Sequence, residues 1–139
     1  MSEDPEVAQW LLARGCPDHV IAGGADGLLA QWERLAAGCR EPYVGGLEDW
    51  LNDLDDRHML FELAQEIPEA ISESFDARLA AADTSLREST RLLAECVWGD
   101  GLAEEHAWSP EVEWWYWRAP LQMNPMLAEE LGLDGPSRS

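Results

Sequence analysis

The chain has 139 residues, of which 46% are apolar and 27% are charged, a balance that is typical of one ordinary globular domain. It carries 28 acidic residues against 9 basic ones, all of them Arg, and its formal net charge is −19. Such a charge repels nucleic acid and anionic membrane surfaces, so it argues against direct binding to either. It attracts basic proteins and cations. Solubility alone is the alternative explanation of the charge.

The cysteines and the N-terminal residues indicate a cellular compartment. Cys16, Cys39 and Cys96 are odd in number and widely spaced, which argues against a disulfide framework and for a reducing compartment. The first residues are acidic and no apolar segment follows them, so we expect no signal peptide. No run of 18 apolar residues occurs, and no transmembrane helix is expected. These features together predict a cytoplasmic protein.

Helix-start signals, helix-stop signals and apolar residues three or four apart predict a series of helices along the chain. The first helix opens at Asp4 and is stopped by Gly15, while Pro68 ends or kinks the fifth. If the sixth predicted helix is broken, the break lies at residues 83–85. In chain order the predicted helices span residues 4–14, 17–22, 26–37, 46–56, 57–67, 69–98 and 126–131.

The segment 109–118 differs in character from the rest of the chain. It begins with a helix-start signal at Ser109 and Pro110, yet its body consists of residues that prefer strands. Because no second strand is evident, we expect a short helix or an irregular segment docked on the helices. The sequence thus predicts an all-α fold, a bundle of five or six helices with this Trp-rich segment packed on it. A single domain covers residues 1–134, and a frayed tail covers 135–139.

Four aromatic rings stand in a row at 114–117, within the stretch EWWYWR. Neither a helix nor a strand can point all four rings inward, so at least one ring needs a partner elsewhere. One interpretation is a cover that seals the bundle, with Arg118 stacked on an indole. The other is a contact surface, since exposed Trp and Tyr beside Arg are typical of binding hot spots. We expect Trp114 and Trp117 to be structural and Trp115 to be the more exposed ring.

Carboxylates concentrate between residues 41 and 83, where 12 acids face 2 arginines. Five of these acids recur at spacings of four and three, which on a continuous helix gives one charge per turn, about 5.4 Å apart. Pro68 leaves only the last three on a continuous helix. Proteins that mimic nucleic acid and inhibitors of basic nucleases use such arrays; an ordinary polar helix face is the alternative. The five acids are Glu62, Glu66, Glu69, Glu73 and Asp76.

Candidates for catalysis are few. His58 and Glu62 lie four residues apart and share a helix face, a spacing at which His and Glu can bind zinc. A solvated helix face has the same composition, so they are weak metal candidates. The sequence contains neither a nucleophile motif nor a Gly-rich phosphate-binding motif, and we expect no cofactor.

We therefore expect a non-enzymatic acidic binding protein. In its concrete form it is a bacterial immunity protein, antitoxin or inhibitor that engages a basic, nucleic-acid-directed protein. The alternatives are a small carboxylate-rich metal-dependent enzyme and a scaffold protein whose charge serves only solubility. The sequence leaves the oligomeric state open. The expected contact residues are Asp49, Asp53, Asp56, Glu62, Glu66, Glu69, Glu73, Asp76, Trp115, Trp117 and Arg118.

Overall fold

The computed structural model describes residues 5–132, and its fold is built mainly from helices. Helix accounts for 67% of the described residues, in six α-helices and two 3₁₀ turns, beside one two-stranded sheet. The all-α prediction is confirmed. The elements are α1 Pro5–Ala13, α2 Asp18–Gly38, α3 Leu47–Glu66, a 3₁₀ turn at Pro68–Ala70, α4 Glu73–Glu88, β1 Thr90–Leu92, α5 Asp100–His106, a 3₁₀ turn at Trp114–Trp117, β2 Arg118–Pro120 and α6 Pro125–Glu130.

Several predicted helix ends coincide with the observed ones. Gly15 follows α1 with a φ of 76°, a left-handed conformation that glycine adopts without strain. Asn124 caps α6, because its side-chain oxygen accepts a hydrogen bond of 2.8 Å from the Leu127 amide. The predicted opening at Asp4 and the predicted tail at 135–139 lie outside the described residues.

Helix α2 contains a sharp break rather than a loop. Gly24 has a φ of 63° and a ψ of −158°, which no helical residue adopts. The break separates the two helices predicted at 17–22 and 26–37, so these share one element with a kink. Only glycine takes this conformation at low cost, which explains the glycine at position 24.

Helix α3 is continuous from Leu47 to Glu66, so the predicted division at 56/57 is wrong. No Pro or Gly interrupts this stretch, and its buried face runs unbroken through Leu54, Arg57 and Leu60. Because Arg57 is charged, the sequence predicts that it lies at the surface. In the structure it is buried against a carboxylate of α4.

The long helix predicted over 69–98 is wrong at both ends. Helix α4 starts at Glu73, after the Ser72 hydroxyl accepts the Phe75 amide at 3.1 Å, and it ends at Glu88. Residues 90–92 then form β1, which pairs antiparallel with β2 at 118–120. The expectation that no strand partner exists for the Trp-rich region is also wrong. Strand pairing between segments far apart in sequence leaves no local periodicity to read.

The core lies around α2, which packs against α1, α3 and α4. Trp32 of α2 and Trp50 of α3 are completely buried, and the Trp50 indole donates a hydrogen bond of 2.9 Å to the Arg118 carbonyl oxygen. This bond ties α3 to β2. The two-stranded sheet and α6 thus close one side of the bundle.

A buried ion pair crosses this core. The Arg57 guanidinium donates two hydrogen bonds of 3.0 Å to the two carboxylate oxygens of Asp83. Asp83 also accepts the indole N–H of Trp32 at 2.9 Å, and the Arg57 guanidinium lies 4.6 Å from the ring centre of Trp115. The group therefore links α2, α3 and α4 through charge-assisted hydrogen bonds, and it contacts the second 3₁₀ turn through a cation–π interaction.

Candidate functional site

All four rings of the 114–117 turn are buried. Trp115 is 1% exposed and Tyr116 is 2% exposed, while Trp114 and Trp117 are 8% and 7% exposed. The expectation that Trp115 is the more exposed ring is wrong. The rings point in different directions, as geometry requires. Those whose contacts are described pack against neighbouring elements.

The neighbours of these rings come from helices α3 and α4. Trp115 packs on Phe61 of α3, with ring centres 5.5 Å apart, and Trp114 lies 4.1 Å beneath the Arg87 guanidinium of α4. The Tyr116 hydroxyl donates a hydrogen bond of 2.7 Å to Asp55. The segment is therefore a cover on the bundle in this structure.

Arg118 plays a different part from the predicted one. Its side chain is half-buried, and its Nη1 lies 3.3 Å from the carbonyl oxygens of Arg87 and Thr90, to which it donates. The guanidinium groups that stack on indoles are those of Arg14, Arg57 and Arg87. Arg118 thus fastens β2 to the end of α4.

The acids at the end of α3 are engaged within the molecule. The Arg14 guanidinium donates to Glu62 at 2.8 Å and to Glu66 at 3.2 Å. Glu66 also accepts the indole N–H of Trp10 at 2.8 Å. Glu62 and Glu66 therefore dock α1 onto α3, and one arginine offsets part of their charge.

The acids at the start of α3 form a second group. Asp49 caps the helix by accepting the Gly46 amide at 3.0 Å, and Asp53 accepts the Tyr43 hydroxyl at 2.6 Å. Burial raises the pKa of Asp53. Burial and two neighbouring carboxylates raise the pKa of Asp56 to about 7. Asp56 is therefore only partly ionised near neutral pH.

Glu69, Glu73 and Asp76 remain exposed, and no described ion pair involves them. The prediction that these three share one continuous helix is wrong, because Glu69 lies on the 3₁₀ turn at Pro68–Ala70. An extended residue, Ile71, separates that turn from α4. The three carboxylates are thus a surface patch rather than a helical stripe, and we call them the acidic patch.

A cavity of about 520 Å³ opens between α3, α5 and the covering segment. Its walls combine aromatic rings with carboxylates and imidazoles, and we call it the aromatic–carboxylate cleft. Sequence analysis singled out His58 and Glu62 on this wall, but it missed the contributions of α5 and its flanks. The cleft is lined by Asp55, His58, Met59, Glu62, Trp98, Leu102, His106, Trp108 and Tyr116.

Both carboxylates of the cleft and one of its two imidazoles come from α3. The Nε2 of His58 lies 3.5 Å from an oxygen of Glu62, one helical turn away. Burial lowers the pKa of His58, against the opposing effect of Glu62, and so favours the neutral imidazole. Burial raises the pKa of Asp55, whose hydrogen bond from Tyr116 acts in the opposite direction.

The aromatic groups of the cleft come mainly from the region after α4. The ring centres of Trp108 and Tyr116 are 4.5 Å apart, and the His106 imidazole stacks on Trp108 at 4.7 Å with an interplanar angle of 15°. Trp108 also contacts His58 edge-on, with ring centres 5.5 Å apart. These rings fix one another, so the wall of the cleft is formed before any ligand arrives.

Residues 5–132 contain no group of three His, Cys, Asp or Glu side chains arranged as metal ligands would be. His58 and Glu62 adjoin each other but lack a third such ligand there. None of the helices in that range is long and apolar enough to cross a membrane.

Comparisons with known proteins give no family assignment. No protein-family model matches the chain, and no curated protein or solved structure matches it either. Function is therefore inferred from geometry and charge.

Proposed function

We propose that this protein is a non-enzymatic acidic binding protein that engages a basic protein partner. Its concrete form is a bacterial immunity protein, antitoxin or inhibitor of a nucleic-acid-directed protein. The observation that carries the proposal is the acidic patch, Glu69, Glu73 and Asp76. These exposed carboxylates add to a net charge of −19, and no arginine among the described residues pairs with them.

The internal use of arginine supports this proposal. Most of the described arginines bind within the molecule, so little positive charge is left to offset the surface. Ion pairs to carboxylates involve Arg14, Arg57 and Arg78, backbone carbonyls hold Arg118, and an indole ring holds Arg87. A surface of one sign steers an oppositely charged partner and accelerates encounter.

Two of the three residues of the acidic patch lie at a helix start. Glu73 and Asp76 lie in the first turn of α4, where the helix dipole favours negative side chains. They are three residues apart, and like charges at that spacing cost a few tenths of a kcal/mol. A cationic partner would remove that repulsion, which adds to the affinity.

The experiment is affinity capture from source cells, followed by a binding measurement with the captured partner. The test variant is Glu69→Gln/Glu73→Gln/Asp76→Asn. The matched control is Glu105→Gln/Glu111→Gln/Glu129→Gln, which removes the same charge from exposed acids elsewhere. We expect a basic partner, and we expect the test variant to weaken binding about tenfold more than the control.

Salt provides the second measurement. Between roughly 50 and 500 mM salt the Debye length falls about threefold, so binding through the acidic patch should weaken strongly. An acidic or neutral partner, or an affinity that salt leaves unchanged, would contradict the proposal.

A further inference from the structure

The aromatic–carboxylate cleft has the size and walls of a ligand site. Its volume of about 520 Å³ falls within the range of roughly 300–1,000 Å³ that is usual for small-molecule pockets. Trp98, Trp108 and Tyr116 line it. The face of an aromatic ring attracts cations, and that of indole does so most strongly. The walls therefore favour a positively charged group over an anion.

The charged side chains of the cleft also favour a cation over an anion. Asp55 and Glu62 contribute carboxylates, and burial lowers the pKa of His58, which favours its neutral form. Arg14 occupies one oxygen of Glu62, whereas the hydrogen bond described for Asp55 comes from the uncharged Tyr116 hydroxyl. Asp55 is thus a half-buried carboxylate with no cation bound to it among residues 5–132. Burial without a counter-ion costs free energy, which a bound cation would recover.

Arg14 shows at the rim how this surface holds a guanidinium. Its guanidinium carbon lies 4.0 Å from the ring centre of Trp10, while Nη1 and Nη2 donate to Glu62 and Glu66. An indole face and carboxylates thus hold one arginine beside the cleft. The cleft offers the same two ingredients, aromatic rings and the Asp55 carboxylate, in one lining. A planar guanidinium uses both, because it stacks on rings and donates several hydrogen bonds at once.

His58 adds an unused acceptor. Its Nε2 faces the Glu62 carboxylate at 3.5 Å, which places the proton of the neutral ring on that nitrogen. Nδ1 is then an acceptor, and it is buried without a hydrogen-bond partner among residues 5–132. A ligand with N–H donors can hydrogen-bond to such an acceptor, whereas a quaternary ammonium cannot, which favours guanidinium over a fully alkylated cation.

We propose that the aromatic–carboxylate cleft binds a guanidinium group. The guanidinium comes from one of two sources: an arginine side chain of the basic partner, or a free guanidino compound. The first source rests on the proposed function, and the second does not. In either case the planar cation packs on the aromatic wall of the cleft and donates to Asp55.

The first test uses a charged probe and an uncharged twin of the same shape. In N-acetylcitrulline amide a carbonyl oxygen replaces one NH2 group of the guanidinium of N-acetylarginine amide, which removes two N–H donors and the charge. Calorimetric titration at pH 7.5 should show binding of the arginine probe at least tenfold tighter than that of the citrulline probe. Equal affinities, or no heat from the arginine probe up to about 50 mM, would overturn the proposal, since even a weak −1.8 kcal/mol corresponds to that concentration.

Variants locate the site. Asp55→Asn keeps an acceptor for Tyr116 but removes the charge, and Trp108→Leu removes the ring. Each should weaken the arginine probe at least fivefold, whereas Glu105→Gln, an exposed acid of α5 outside the cleft, should change it less than twofold. Circular dichroism checks that each variant is folded. If Trp108→Leu fails to fold, Asp55→Asn alone decides, and unchanged affinity in that variant would overturn the site.

A spectroscopic readout reports on the cleft directly. A guanidinium beside His58 repels the proton on its imidazole, so the arginine probe should lower the His58 pKa measured by NMR, while His19 serves as the control. A probe that binds without moving the His58 pKa lies elsewhere, and the proposal is then wrong.

Competition distinguishes the two sources. If the partner delivers the arginine, a saturating arginine probe should weaken partner binding and the citrulline probe should not. If the probe binds in the cleft but leaves the partner's affinity unchanged, the ligand is a free guanidino compound. The probe titration needs no partner, so the cleft is tested even if no basic partner is captured.

Discussion

Replacing Asp83 by asparagine should reveal how strongly the buried ion pair supports the fold. Asp83→Asn keeps the shape of the side chain and one acceptor oxygen but removes the charge that faces Arg57. The two side chains are only 14% and 10% exposed, so water cannot readily replace the lost partner. Removing one member of a buried pair typically costs about 3–5 kcal/mol, because it leaves the other charge uncompensated.

The expected magnitude lies at the lower end of that range. Asparagine can still accept the Trp32 indole N–H at the position that is now 2.9 Å away, and the face of Trp115 still attracts the Arg57 guanidinium. We therefore expect a loss of about 3 kcal/mol in the free energy of unfolding. Such a loss is a large share of the roughly 5–15 kcal/mol that stabilises a typical domain.

Urea denaturation followed by circular dichroism measures this change. The control is Asp26→Asn, which removes a carboxylate that is 66% exposed and lies 2.6 Å from Arg78. That surface pair should contribute less than about 1 kcal/mol despite its short distance. If Asp83→Asn costs no more than Asp26→Asn, burial does not govern these pairs and the reasoning fails.

Three further changes test other parts of the structure. Asp56→Asn should stabilise the protein by about 1 kcal/mol more at pH 9 than at pH 5. Because the pKa is raised to about 7, the native carboxyl keeps its proton at pH 5, and the protein loses stability as the pH rises through 7. We halve this effect for partial exposure, and urea melts at both pH values measure it. Trp115→Ala should cost about 3–5 kcal/mol in a denaturant melt, whereas Val112→Ala, at a side chain that is 49% exposed, should cost less than about 0.5 kcal/mol; similar costs for both would show that the ring is not core. Gly24→Ala should destabilise by at least about 1 kcal/mol because its φ is 63°, while Gly27→Ala in the regular helix has free space for the methyl group and should stabilise; thermal melts that rank them the other way would contradict the assigned break.

Local signals in the sequence predicted the helices well where they were strong. Gly15 ends α1, Pro68 follows the end of α3, and Asn124 with Pro125 starts α6, because capping and proline geometry act within a few residues. Helix α5 was not predicted, since its seven residues are too short for periodicity to show.

The failures involve contacts between distant residues. The segment Thr90–Leu92 continues a helical sequence pattern but pairs with Arg118–Pro120. No sequence signal near residue 90 predicts that pairing. The burial of Trp115 follows from Arg57 and Phe61, which lie more than fifty residues earlier.

The cleft could be predicted only in part. His58 and Glu62 were visible as neighbours on one helix face, because i,i+4 spacing is a local property. Trp98 and Trp108 joined them through the docking of α5, which no pattern in the sequence specifies. The one available signal was the abundance of tryptophan in the sequence, which has eight of them.

The covering segment has a consequence for synthesis on the ribosome. Helices α1 to α4 emerge well before residues 114–117, so during that interval the surfaces of α3 and α4 that later receive Trp115 and Trp114 have no cover. An apolar surface exposed on a nascent chain invites aggregation and chaperone binding. The Arg57–Asp83 pair, in contrast, needs only residues up to α4, and it can align three helices before the cover arrives. We therefore expect the nascent bundle to acquire its helix arrangement early and its resistance to protease only after Trp117 has left the exit tunnel.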